Sequence, residues 1–134
     1  MQDSPTPIEI LDIVTAFLRD ELVPVLPPRE AFDARVAANA LELVRRQISE
    51  GPAREAAEQA RLEALLGKQG PLEALNSELA KKIADGAVDT RAPEVFRHLW
   101  QTTLDKLAID QPRYAAYQRS AKEWTAFEEK EKRR

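Results

Sequence analysis

Apolar residues recur along this chain every three or four positions, and nowhere with the strict alternation of a half-buried strand. Glycines and prolines cut that pattern into segments. Thr6-Pro7-Ile8-Glu9 has the form of a helix start, with Thr6 as N-cap, Pro7 in the first turn and Glu9 closing a capping box. The helix it opens carries Ile8, Leu11, Val14, Leu18 and Leu22 as a stripe, widened by Ile10 and Phe17. It ends near Val23, before Pro24, Pro27 and Pro28. A second helix is predicted from Pro28 to Ser49. Gly51 suits the position just past its end, so Pro52 opens a third, Ala-rich helix that reaches Leu66. Pro71 opens a fourth, with a narrow seam of Leu72, Leu75, Leu79 and Ile83, closed at Asp85-Gly86. After a loop from Ala87 to Arg91, a fifth runs from Pro93 to about Ile109, with Val95, Phe96, Leu99, Trp100, Thr103 and Leu107 inward. Asp110-Gln111-Pro112 is a turn, and a final helix runs from Pro112 into the charged tail.

The expected fold is therefore all-α: a single-domain bundle of about six helices with short connections, covering 1–134. Residues 1–5 and about 128–134 are expected to fray. The first two helices are expected to form a hairpin across Val25 to Pro28.

The second helix is the most informative. At about 100° per residue, Val36, Ala37, Ala40, Leu41, Leu43, Val44 and Ile48 share one wide arc, expected to face a core. Arg35, Asn39, Glu42 and Arg46 run along its edge. Guanidinium forks bind carboxylates and phosphates bidentately, so this line reads as the wall of an anion pocket. The simpler reading is a solvated flank, with Glu42 and Arg46 as an ordinary helical ion pair. On the fifth helix Lys106 projects into the apolar arc between Val95 and Leu99, with Asp110 one turn on. A site and a structural role both fit: Lys106 suits the helix dipole, and Asp110 suits the N-cap of the next helix. The candidate ligand-binding set is Arg35, Asn39, Arg46, Lys106, Asp110 and Arg113. Tyr114, Tyr117 and Trp124 fall at helical spacing and are the candidate partner surface, with core packing as the alternative.

Composition removes several function classes. Of 134 residues, 43% are hydrophobic and 32% charged, the balance of a soluble globular chain. A net charge of −3, with scattered cations, argues against nucleic-acid binding. The absence of cysteine removes disulfides, thiolate metal sites and cysteine nucleophiles. No apolar run approaches the about 20 residues of a membrane helix, and no signal peptide is visible, so the expected location is the cytoplasm. No phosphate-cradling glycine loop and no nucleophile elbow occur. His98, one turn from Glu94 at the edge of the fifth helix, is a poor metal ligand by itself. No metal and no cofactor are expected, and no constellation marks an enzyme.

Three segments carry a resemblance: Phe32 to Leu41, Leu104 to Tyr114, and the opening helix with Phe17-Leu18 and Glu21-Leu22. Over about Pro5 to Tyr117 the chain resembles an uncharacterised bacterial family of small helical proteins, a domain of unknown function. Its members are often encoded beside acyl-CoA dehydrogenases and aminoglycoside-phosphotransferase-like kinases. Gln111 stands where the family pattern has Asn. The resemblance implies no catalytic residue. It implies a setting in acyl-CoA or phosphotransfer metabolism, with such a dehydrogenase or kinase-like protein as partner. The leading expectation is a non-enzymatic accessory protein. The alternative is a module binding a small carboxylate, phosphate or acyl-CoA, with Arg35, Asn39, Arg46 and Lys106 converging in one cleft. Self-association through Tyr117 and Trp124 stays open.

Overall fold

The computed structural model describes residues 4–133 and is helical throughout, with no strand among them. Helix α1 spans Pro7–Ala16 and continues as a π-helix over Phe17–Leu22. Helix α2 spans Pro28–Leu66, α3 Leu72–Ala84, α4 Pro93–Asp110 and α5 Ala115–Lys132. The chain groups into two compact units, a first up to Pro52 and a second from Ala53 on. The expected fraying of the ends falls partly on residues 1–3 and 134, outside the described residues; α5 is helical through Lys132.

The N-terminal start forms as its residues dictate. The Glu9 N–H donates to the Thr6 hydroxyl at 3.3 Å, and the Thr6 N–H donates to Glu9 Oε2 at 2.6 Å. The Thr6 N–H on the carboxylate, with help from the Thr6 side chain, lowers the Glu9 carboxyl pKa from its ordinary value.

One expectation is corrected. The second and third expected helices are a single helix of 39 residues with Pro52 inside it, leaving five α-helices among the described residues where six were expected. Gly51 does not adopt the left-handed conformation of a helix stop; Gly67 and Gly86 do, at φ 67° and 73°. Pro52 brings no N–H to the ladder, but its fixed φ is helical. The residues after it, Ala53 to Ala57, are helix formers that carry the ladder onward. The helix ends at Leu66, before left-handed Gly67, and Gly70 and Pro71 keep the chain from resuming it at once.

In the first unit, α1 and the π-helix lie against the opening half of α2. Among its described residues the buried ones are Ala31, Ala38 and Gly51, all small. The apolar arc of α2 was expected to be core. It is not: Val36, Leu43, Val44 and Ile48 are 38–50% exposed. Polar contacts bind one edge of this hairpin. Arg19, on the π-helix, donates through Nη2 to Asn39 Oδ1 at 2.8 Å and through Nη1 to Glu42 Oε1 at 2.5 Å. Arg45 reaches Asp12.

The second unit holds the core. Leu62, Leu75 and Leu79 are buried together, with Leu65, Leu66, Leu72, Ile83, Val88 and Leu99 packed on them. The seam expected along α3 is the one that forms. Val95, Leu104, Ala108 and Ile109 from α4 and Trp124 from α5 are buried as well. No helix among the described residues is long and apolar enough to cross a membrane.

Candidate functional site

Within the second unit, the later turns of α2, α3, the α3–α4 connection, α4 and α5 enclose an open cavity of about 750 Å³. That volume lies in the range of small-molecule pockets. Its apolar wall includes Leu65, Leu79, Val88, Val95 and Trp124. Its polar lining includes Arg61, His98 and Gln101.

Three helices position these groups through one network. On α4, Asp105 accepts from Arg54 Nη1 at 2.9 Å and from Arg61 Nη2 at 3.2 Å, both reaching across from α2. Gln101, one turn before Asp105, donates to the same carboxylate at 3.0 Å. It accepts at Oε1 from the Trp124 indole N–H of α5 at 2.6 Å. Arg61 Nη2 also reaches the Thr102 hydroxyl at 3.4 Å. The spacing explains the arrangement. Arg54 and Arg61 lie seven residues apart, two turns, so both face α4; Gln101 and Asp105 lie four apart and face α2 together.

His98 is 3% exposed and lines this cavity. Its Nδ1 has no hydrogen-bond partner, and neither has Arg61 Nε, also buried. Burial pushes the imidazole pKa below its ordinary value, the Arg61 charge pushes it further, and Glu58 opposes both. The ring is therefore neutral at physiological pH. A guanidinium Nε–H can only donate, and a neutral imidazole donates from one nitrogen. Leaving such buried groups unmet costs about 1–3 kcal/mol each. Charge at the edge has both signs, since Asp89, Glu94 and Arg97 are exposed.

The residues singled out from sequence are distributed otherwise. Arg35, Asn39 and Arg46 lie in the first unit, and Lys106, Asp110 and Arg113 in the second. Arg35 is exposed, Asn39 is held by Arg19, and Arg46 stands 4.0 Å from Glu42. Lys106 is exposed rather than set in the apolar arc. Asp110 ends α4, exposed, and the N-cap of α5 is Tyr114, so Asp110 does not cap the next helix. Arg113 lies exposed in the turn before α5. Of the aromatic set, Tyr114 is exposed, Tyr117 half-buried, and Trp124 buried in the network above rather than presented outward. Sequence reasoning placed His98 at a helix edge. The signal that could have moved it inward is its position three residues after Val95, on the same helical face.

No curated protein and no solved structure matches the chain. A family model does, over residues 24–114: the domain of unknown function DUF6285. That span takes in all of α2, α3 and α4, and every residue of the Asp105 network except Trp124. It also covers the two internal segments on which the sequence resemblance rested, and the chain belongs to the DUF6285 family.

Proposed function

We propose that this protein is a small-ligand binding module, and that the cavity beside His98 takes an amphipathic anion. The ligand has an apolar body, suited to Leu65, Leu79, Val88 and Val95. Its head is a carboxylate or phosphate whose oxygens meet Arg61 and His98. The observation that carries this reading is a pocket-sized cavity whose apolar wall is shared by the cationic Arg61 and by His98. The earlier expectation of an anion site on the α2 stripe gives way to it, because Asn39 and Glu42 are engaged with Arg19. The resemblance to a family encoded beside acyl-CoA dehydrogenases and kinase-like proteins favours acyl chains among amphipathic anions. An accessory role beside such an enzyme, without chemistry of its own, goes with that choice.

The test is a thermal-shift screen against medium-chain fatty acids, acyl-CoAs, free CoA and nucleotides. Ala64→Trp serves as the control, since Ala64 is an exposed cavity-lining position where an indole would occupy the ligand's space. A ligand at 100-fold excess over its Kd stabilises by about 2.7 kcal/mol. A medium-chain carboxylate should raise Tm in the native protein and not in Ala64→Trp. Silence across the panel, or stabilisation that survives Ala64→Trp, would remove the cavity as the site. A pull-down recovering neither neighbouring enzyme would count against the accessory role alone.

A further inference from the structure

We infer that Gln101 is a positioning residue for the cavity: acting through Asp105, it fixes Arg61 for the charged head of a carboxylate ligand, and Trp124 of α5 fixes Gln101. The inference rests on the binding reading above and names the residue behind its preference for a charged head. An indole N–H can only donate, and an ionised carboxylate can only accept. Gln101 stands between one of each. Its Oε1 accepts from Trp124 Nε1 at 2.6 Å, and its Nε2 donates to Asp105 Oδ1 at 3.0 Å. Turning the amide over would set donor against donor and oxygen against oxygen. The side chain is therefore held in one orientation, by a tryptophan that is itself buried.

That orientation passes to Arg61. Oδ1 of Asp105 takes both Gln101 and Arg54, the latter at 2.9 Å, while Oδ2 takes Arg61 Nη2 at 3.2 Å. Two donors on one oxygen set the plane of the carboxylate, and the plane sets where Oδ2 meets Arg61. The other described hydrogen bond of Arg61, to the Thr102 hydroxyl, is longer at 3.4 Å and holds the guanidinium more weakly. Gln101 does this without charge. A carboxylate in its place would compete with the ligand's head for Arg61. Of these residues only Trp124 lies beyond residue 114, where the family match ends, so α5 brings in the contact that orients the amide. Removing the indole N–H and removing the amide should then act on the ligand along one path.

The experiment is calorimetric titration of decanoate, and of 1-decanol, which shares the chain and lacks the charge. Both go into the full chain and into Gln101→Met, Trp124→Phe and the double variant. The native protein should prefer decanoate. Gln101→Met should cut that preference by about tenfold, the weight of one hydrogen bond to a charged group. Trp124→Phe keeps an aromatic wall; it should cut the preference by about threefold alone and by nothing further beside Gln101→Met, because the two lie on one path. A merely structural loss would weaken both ligands alike. No preference in the native protein, an equal loss of both ligands in Gln101→Met, an unchanged preference there, or independent effects of the two substitutions would each overturn the inference. In those cases decanoate binding to the native protein would still uphold the cavity. A native protein that binds neither ligand would overturn the cavity reading, and this inference with it.

Discussion

At the scale of single residues, the protein's one histidine is the group whose behaviour is most constrained. His98 has its folded pKa lowered by burial and by Arg61. Below an ordinary imidazole pKa of about 6.5, the unfolded chain takes up a proton that the folded chain refuses, so stability falls with pH in that window. We expect the urea midpoint of the native protein to fall more steeply between pH 7.5 and 5.5 than that of His98→Gln. Parallel profiles would show that the ring titrates as though exposed. Asp105 makes a second demand on a single side chain, since it serves Arg54 and Arg61 at once. Asp105→Asn keeps the shape and removes the charge, leaving two partly exposed guanidiniums without it. Discounting for that exposure, the expected cost is about 1–3 kcal/mol by urea unfolding. Neither role was legible in the sequence. Arg61 and Asp105 lie 44 residues apart, and no local pattern announces such a pair.

At the scale of elements, most of the structure could be read from spacing and punctuation. The capping box at Thr6 and Glu9, the seam of α3 and the span of α4 follow from local chemistry alone. The break expected at Gly51-Pro52 fails for a reason just as local. A glycine ends a helix when the chain after it cannot resume, as at Gly67, and not when helix formers follow. Pro52 still costs α2 a hydrogen bond. Pro52→Ala is expected to stabilise the protein by about 1–3 kcal/mol in urea unfolding. A loss of stability instead would mean that the proline ring is needed where it sits. Gly67→Ala, at a left-handed φ, is expected to destabilise by about 1 kcal/mol in the same measurement.

At the scale of the whole molecule, periodicity shows which face of a helix is apolar but not what covers it. The arc of α2 around Leu43 was legible as apolar and yet is exposed, while Leu62, farther along the same helix, is fully buried. Leu62→Ala should accordingly cost about 2–5 kcal/mol. Leu43→Ala, at a site 38% exposed, should cost under about 1 kcal/mol. The cavity of the second unit escaped the sequence for a related reason. Its wall is made of ordinary core residues contributed by four helices and a connection. Only His98 and Arg61 mark it as more than packing. The most direct measurement is therefore a fluorescence titration of the Trp100→Phe protein, in which Trp124 on the cavity wall is the remaining indole. With decanoate added, the account requires a saturable one-to-one change in Trp124 emission that His98→Gln weakens. A flat titration into the millimolar range, or a change indifferent to His98→Gln, would contradict it.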